Sequence, residues 1–589
     1  GAAAHGLYAT GDGSGIVADG TAIVVTGANS YGASATEGGQ VMLTGASVDA
    51  HGRALSAVGG TTTATDSSIV NTVDGTGGGE TGAAYASRGG SITLTGGTVT
   101  AFGNRNHALF APREGTIDAT DVVISTSGDR SRGAYAAADS NGAGAITISG
   151  GSVSTSGMLS HGLFAKRESG STGDQTATID ATNVAITVDG EDANGVYADV
   201  GGTIAITGGS VTAFGNRGIA LHAQSVDDDQ IGLGTLTATD VTISTVGTYG
   251  FGGFAEKGGQ LTINGGSIST TGDMGYGLLA VEEGSLISSS PDGTTAHSCT
   301  YGAFAGGGGQ IDLTGGTITT QGERAHGLVV DAGGIINSAA DVVTLGDRAH
   351  GVQAGLNDIG PGGQITLDAV NVTTSGSMAY GLLAYNGASI TGTANVTTSG
   401  YGAFGASADG DGTITLTGGS ILTHGEEAHG LQAVHDDRFY ETGTLTASAV
   451  TVKTTGNWSV GALAQDGGQI ALNGGSVTTT GGTSYALLAG GAHDESRSVE
   501  RQTSLITATD IAITTTGAGS AGAVIIGEGD IKLTGGSLQA SGPALLARTA
   551  SGAQATFDIA GTQLSSDSGT LLEVDRSADE LGDGIISLT

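Results

Sequence analysis

The chain has 589 residues, of which 112 are glycine and only 4 are proline, and its formal net charge at pH 7 is −37. This length exceeds what one hydrophobic core usually supports, so either several domains or a repeat architecture is expected. The acidic field excludes non-specific attraction of nucleic acid, heparin-like polymers or anionic lipid, and 19 basic residues predict no arginine cluster for phosphate.

One short pattern returns along the whole chain. It reads ITLTGGTVT from Ile92, ITISGGSVS from Ile146 and IAITGGSVT from Ile204, and a second version reads IDATDVVIST from Ile117. Apolar residues occupy the first, third and eighth positions of both versions, and units often follow one another at the interval that separates Ile92 from Ile117. Self-similarity with a fixed period is typical of a solenoid.

Each unit predicts three short strands separated by glycine-containing turns. In ITLT the apolar residues alternate with threonine, which is the period of a strand with one buried face. A paired glycine turn follows, then a second strand, and then a third of the form GLLA or GAYA. The sequence therefore predicts an all-β fold, a right-handed parallel β-helix of about 21 coils with three short strands per coil. Ile, Leu, Val and Ala should face inward, and Thr and Ser outward.

The repeats run through residues 1–589, which predicts a single β-helix domain. Four longer intervals place extra residues after the third strand, near 166–175, 224–232, 434–443 and 492–502. Insertions are where a solenoid usually carries function, so we expect them to share one edge and to form a recognition edge; the alternative is tolerated loop growth. The candidate residues of this edge are Lys166, Arg167, Asp227, Asp228, Asp229, Asp436, Asp437, Phe439, Tyr440, Asp494, Glu495 and Arg497.

Histidine or tyrosine recurs at the start of the third strand, as at His107, His161 and His326. Neighbouring imidazoles can bind a transition metal, but no acidic or cysteine partner keeps a fixed spacing to them. We therefore expect packing and hydrogen bonding at this position, with no metal site and no cofactor. The acidic run from Asp227 to Asp229 can hold calcium weakly, with a solvated loop as the alternative.

The recurring GGQITL, GGSVTT, HGLxA and YGLLA segments resemble the passenger domains of autotransporters, the pertactin-like and self-associating adhesin group of Gram-negative bacteria. The resemblance covers essentially the whole chain. It implies an extracellular rod at the bacterial surface whose partner is itself or a host ligand. Family members are secreted through a C-terminal β-barrel. We expect this chain to lack that barrel and a signal peptide, so that any contact with a membrane needs the missing barrel.

Three classes of function remain open. An adhesin or self-associating scaffold without enzymatic activity is favoured. A β-helix polysaccharide lyase or hydrolase needs paired carboxylates or a metal, and aromatic platforms for sugars. Trp458 is the only tryptophan, and aromatic residues make up 4% of the chain. A threonine array that binds ice is the third class, disfavoured by the irregular coils. The fold alone does not choose among these classes.

Overall fold

The computed structural model describes residues 4–27, 30–73, 80–168, 171, 175–227, 230–290, 292–356, 362–436, 441–491, 503–549, 553–576 and 585–588. The chain forms an all-β parallel solenoid of about 21 turns, which confirms the predicted fold class. It divides into two compact units, unit 1 from Gly1 to Thr294 and unit 2 from Thr295 to Thr589. No helix in the described ranges is long and apolar enough to cross a membrane.

Each coil of unit 1 contributes three strands, and each strand pairs in parallel with its counterpart in the next coil. The first strands are Gly15–Asp19, Gln40–Thr44, Thr61–Thr65, Ser91–Thr95, Thr116–Thr120, Ala145–Ser149, Ala177–Thr182, Gly202–Thr207, Thr235–Thr239, Gln260–Asn264 and Leu286–Ser289. The second strands are Ala22–Val25, Ser47–Ala50, Ser68–Asn71, Thr98–Phe102, Val123–Ser127, Ser152–Thr155, Ala185–Val188, Ser210–Ala213, Thr242–Thr245, Ser267–Thr270 and Asp292–Thr295. The third strands are His5–Thr10, Tyr31–Thr36, Arg53–Val58, Thr81–Ser87, Asn106–Pro112, Ala134–Asp139, Leu163–Arg167, Asn194–Ala198, Ile219–Gln224, Phe251–Glu256 and Tyr276–Val281.

Unit 2 repeats this plan. Its separate first strands are Gln310–Leu313, Ile335–Ser338, Thr444–Ser448, Gln469–Asn473, Ser504–Thr509, Gly529–Thr534, Gln554–Ala560 and Ile585–Leu588. The second strands are Thr317–Thr320, Asp341–Thr344, Thr451–Thr454, Ser476–Thr479, Ala512–Thr515, Ser537–Ala540 and Gln563–Ser566. In three coils the first and second strands are continuous, as Gln364–Thr374, Ser389–Thr398 and Thr413–Thr423. The third strands are Tyr301–Gly306, His326–Val330, Val352–Ala354, Leu382–Ala384, Ala406–Asp409, Leu431–Asp436, Val460–Gln465, Tyr485–Gly491, Ala523–Gly527, Leu545–Thr549 and Leu572–Arg576.

The core follows from the alternation along each strand. In Thr116–Thr120 the side chains of Ile117 and Ala119 are buried, whereas those on either side of them are exposed. The parallel register places Ile117 beside Ile92 and Ile146 in the neighbouring coils. Each inward residue therefore packs against the inward residues at the same position of the coils above and below, and burial of these columns supplies the main stabilising energy of the solenoid.

A column of threonines departs from the predicted outward placement. Thr344, Thr374 and Thr398 end their second strands with side chains that are fully buried. Each hydroxyl donates a hydrogen bond to the carbonyl oxygen of the alanine five residues later, at 2.7 Å for Thr374 and Ala379. A buried carbonyl in the turn needs a donor, and an inward threonine supplies one.

The turn between the second and third strands begins with glycine in most coils. A Cβ added to Gly157 would overlap the carbonyl oxygen of Gly128, and one added to Gly128 would overlap that of Gly103. Successive coils approach so closely at this corner that a side chain has no room. At Gly128 and Gly157 glycine is required by the distance between coils, since neither residue has a positive φ.

The predicted insertions at 166–175 and 224–232 begin at the ends of the third strands Leu163–Arg167 and Ile219–Gln224. A further insertion was missed, since Gly142–Ala143 folds back as an antiparallel partner of Ala138 and Asp139. The interval from Ile117 to Ile146, longer than that from Ile92 to Ile117, was the available signal. Much of the four predicted insertions lies outside the described residues, so their shared edge stays a prediction, as does the single domain.

Candidate functional site

An aromatic ladder runs along the outer side of the third strands of unit 1. Phe110 points away from the core because its neighbours Leu109 and Ala111 point inward. The parallel register aligns Phe110 with Tyr85 in one neighbouring coil and Tyr135 in the other, at ring-centroid distances of 5.5 and 4.9 Å. The ladder comprises Tyr85, Phe110, Tyr135, Phe164, Tyr197, His222 and Phe254.

Arginine side chains cover part of this ladder. The guanidinium carbon of Arg53 lies 3.3 Å from the centroid of the Tyr85 ring. That of Arg132 lies 4.7 Å from the Tyr135 ring and 4.3 Å from the Phe164 ring. A guanidinium over an aromatic face is attracted by the ring quadrupole and also shields the ring from water. As a result Tyr85 and Phe110 are less than one-tenth exposed although they face outward.

Beside the ladder lies a cleft of about 850 Å³, here called the arginine cleft. Its lining comes from five consecutive coils, whose third strands extend from Arg53–Val58 to Leu163–Arg167. The described lining includes five of the 15 arginines of the chain, Arg53, Arg105, Arg113, Arg130 and Arg132. The expectation that so few basic residues form no arginine cluster was therefore wrong. The signal that was overlooked is their local density between residues 53 and 132.

Three carboxyl groups line the cleft, and each already has a partner. Nη1 of Arg132 lies 2.9 Å from Oε1 of Glu80, and Nε of Arg113 lies 2.6 Å from Oδ2 of Asp139. The Tyr135 hydroxyl donates a hydrogen bond to Oε1 of Glu168. Five guanidinium groups thus face three carboxyl groups, which leaves local positive charge on a strongly acidic chain.

The pKa values in the cleft follow from burial and these partners. Burial raises the pKa of Glu168 above its usual range, against the opposing effect of the Tyr135 hydrogen bond. Burial also raises the pKa of Tyr135 well above 10, so this phenol keeps its proton near neutral pH. Burial alone would raise the pKa of Asp139 as well, but hydrogen bonds from Asn141 and Arg113 lower it overall.

Arg105 and Arg130 differ from the other arginines of the cleft. They occupy the same position of the turn before the third strand in two adjacent coils. The backbone N–H of Arg105 donates to the carbonyl oxygen of Asp129, which sets Arg105 beside Arg130. Both residues have positive φ, 53° and 57°. Arg105 is half-buried and Arg130 is exposed, and within the described residues neither guanidinium has an ion-pair partner. These two side chains are therefore free to contact a ligand.

The histidines at the start of the third strands are structural. The backbone N–H of Asn194 donates to Nδ1 of His161 at 3.1 Å, and that of His350 donates to Nδ1 of His326 at 2.9 Å. Burial holds the pKa of His161 well below 6.5 and lowers that of His326 to about 4. A neutral ring that accepts a backbone hydrogen bond agrees with the expected packing role. In the described part of the chain, no three His, Cys, Asp or Glu side chains form a metal-binding group.

The predicted recognition edge is mostly outside the described residues. Of its twelve candidates, only Lys166 and Arg167 have described side chains, and Nζ of Lys166 lies 3.0 Å from Oδ2 of Asp199. The backbones of Asp227 and Asp436 are described, in short antiparallel pairs with Gln230 and Glu441. The remaining candidates are Asp228, Asp229, Asp437, Phe439, Tyr440, Asp494, Glu495 and Arg497, which fall outside the described ranges.

A second surface feature is a column of exposed apolar side chains at the turn between the second and third strands. In unit 1 it includes Met158, Tyr249 and Met274. In unit 2 it includes Met378, Tyr401 and Trp458, whose side chain is 54% exposed. Large apolar residues that recur at a solvent-facing turn are typical of a contact surface.

Comparison with known proteins gives no family. No family model matches the chain, and no curated protein matches it. A chain in the cryo-EM structure of the Vag8–C1 inhibitor complex is similar over 98% of this chain and 100% of its own length, with 12% identity and a TM-score of 0.35. A likeness at this level identifies neither a family nor a binding partner for this protein.

Proposed function

We infer that this chain is an extracellular binding scaffold, an adhesin displayed at a bacterial surface in the manner of an autotransporter passenger. The observation that carries this proposal is the arginine cleft, a concave site of about 850 Å³ on a fold otherwise made of repeated coils. A concave site with a few converging polar groups is where a ligand is expected to bind.

The chemistry of the cleft favours binding over catalysis. Glycoside hydrolysis requires one carboxyl group that donates a proton and a second that is free to act as base or nucleophile. Glu80 and Asp139 are held by Arg132 and Arg113, and Glu168 accepts a hydrogen bond from Tyr135. The raised pKa of Tyr135 keeps this phenol protonated, which makes it a poor base near neutral pH.

The exposed apolar column supports a second form of attachment, in which two copies of the chain associate. Met378, Tyr401 and Trp458 in unit 2 present apolar surface at the same corner of three coils, the first two of them adjacent. Repeated weak contacts along a solenoid add up to useful avidity without a deep pocket.

The proposal is tested with bacteria that display the full chain and with otherwise identical bacteria that do not. We expect displaying cells to attach to host cells or to settle together faster than the control cells. Displaying cells that do neither would contradict the proposal. Release of unsaturated or reducing sugar from a polysaccharide by the purified chain would instead support the alternative of a β-helix lyase or hydrolase.

A further inference from the structure

The arginine cleft has a charge opposite to that of the chain that carries it. Five of 15 arginines converge on one site of a protein whose net charge is −37. The overall field repels an anion at long range, but that field is screened beyond about 8 Å at physiological salt. Inside that distance the guanidinium groups dominate, and those of Arg105 and Arg130, which have no ion-pair partner among the described residues, can each hold a carboxylate or sulfate through two parallel hydrogen bonds.

The shape of the site suits an extended ligand. Five coils contribute to the lining, and four steps of about 4.8 Å give a length of about 19 Å. Arg105 and Arg130 repeat at one side of the cleft at the spacing of one coil, and Arg113 lies at the turn on the other side. A chain molecule with an anionic group in each of several units can contact these guanidinium groups in succession.

The residues of the cleft other than the arginines indicate which class of anionic ligand fits it. Protein partners are held mainly by apolar anchors in pockets, and single-stranded nucleic acids by stacking on exposed rings. Here Tyr85 and Phe110 are less than one-tenth exposed, and Arg53 already lies on the Tyr85 face. The polar lining includes Asp139, Ser140 and Asn141, whose oxygen atoms can accept hydrogen bonds from hydroxyl groups. Guanidinium groups beside such acceptors match a sugar chain that bears acidic groups.

We propose that the arginine cleft binds an acidic polysaccharide, whose carboxylate or sulfate groups contact Arg105 and Arg130 and whose ring hydroxyls contact the hairpin of Asp139 to Asn141. This proposal rests on the proposed binding function and names the ligand class for it. It also reverses, for this site alone, the exclusion of heparin-like polymers that the net charge suggested.

The test measures binding of the full chain to polygalacturonate, heparin, neutral dextran, poly-glutamate and single-stranded DNA by isothermal titration calorimetry. Polygalacturonate or heparin should bind, and its Kd should rise as salt rises. The double variant Arg105→Ala/Arg130→Ala should bind about tenfold more weakly or worse, because it removes two charged hydrogen-bond donors from the ligand. Dextran should not bind.

The matched control is Arg324→Ala/Arg348→Ala, which removes two arginines from the same turn position of adjacent coils in unit 2. It changes the net charge by the same amount and should leave the Kd unchanged. Equal thermal midpoints for the two double variants and the parent show that each is folded. An equal loss of affinity in both variants would mean that net charge, and not the cleft, controls binding, and would overturn the proposal.

Three other results would also overturn it. The first is that the folded chain binds neither acidic polysaccharide, and the second is that the Arg105→Ala/Arg130→Ala variant binds with normal affinity. The third is that poly-glutamate or DNA binds as tightly as polysaccharide, with the same dependence on Arg105 and Arg130. If displayed cells still attach while the purified chain binds no polysaccharide, the ligand class is wrong and the proposed adhesive function stands.

Discussion

The backbone N–H of Arg132 donates a hydrogen bond to Nδ1 of His107, 3.1 Å away, across two adjacent coils. The same bond joins Tyr380 to His350 and Val460 to His429 in unit 2. The acceptor nitrogen must be unprotonated, so each of these rings is neutral in the folded chain. The solenoid therefore depends on histidines that stay neutral.

This arrangement predicts loss of stability in mild acid. Burial lowers the pKa of His326 and His429 to about 4 and that of His350 to about 3. The unfolded chain binds these protons near pH 6.5, so the stabilisation is complete above that pH and decreases as the pH falls towards 4. The unfolding midpoint in guanidinium chloride should be clearly lower at pH 5 than at pH 7.5.

A His350→Gln variant is the matched control, because the glutamine oxygen accepts a hydrogen bond at every pH. Its midpoint should change less between pH 7.5 and pH 5 than that of the parent. Equal dependence on pH in the two proteins would show that His350 is not responsible. The raised pKa of Glu168 has the opposite sign and offsets part of the effect in unit 1.

Replacing Arg132 by alanine should destabilise unit 1. The change removes the contacts with the Tyr135 and Phe164 rings and leaves Glu80 without its guanidinium partner. Contacts of this kind contribute about 1–2 kcal/mol together when partly buried. Chemical denaturation measures the loss, and Arg105→Ala serves as control because its guanidinium has no such contacts in the described residues. A similar effect of both changes would contradict the assignment.

Thr374→Val should lower the free energy of unfolding by about 1 kcal/mol. The substitution removes the hydroxyl that donates to the buried carbonyl oxygen of Ala379, while it keeps the shape of the side chain. The neighbouring Thr373 is exposed, so Thr373→Val should change the free energy of unfolding little. Comparable losses for the two substitutions would argue against the role given to the inward threonines.

Gly157→Ala should be strongly destabilising, because the new methyl group overlaps the carbonyl oxygen of Gly128 and must displace one coil from the next. Gly15→Ala is the control: a Cβ there meets nothing within 4 Å. Thermal unfolding followed by circular dichroism should show a lower midpoint only for the first variant. An unchanged midpoint for Gly157→Ala would mean that the coils can separate at this corner at little cost.

Self-association should strengthen as salt rises from about 10 mM to about 150 mM, because screening shortens the range of repulsion between two acidic chains. Sedimentation velocity across this series measures it. Trp458→Ser should weaken association if the exposed apolar column forms the contact, while Thr373→Ser, an exposed change outside the column, should not. A chain that stays monomeric at every salt concentration leaves attachment to a different ligand as the adhesive function.

The repeat in the sequence was sufficient to predict the fold class. Alternation of Ile and Thr specifies strands with one buried face, and the return of glycine at a regular interval specifies where each coil bends. These are local properties of each unit, and parallel stacking repeats them from coil to coil. The fold class can therefore be predicted without knowledge of any specific long-range contact. The histidine column was also predictable, because His107 and His161 occupy the same position of the unit.

The arginine cleft was decided only by the tertiary structure. Arg53, Arg105 and Arg132 are far apart in sequence, and they meet because each coil returns the chain to the same face. The aromatic ladder arises in the same way, since Tyr85 and Phe110 become neighbours only through the parallel register. Net charge is a sum over the whole chain, whereas a binding site depends on which charges the coils bring together. That in turn depends on register, hairpins and side-chain direction.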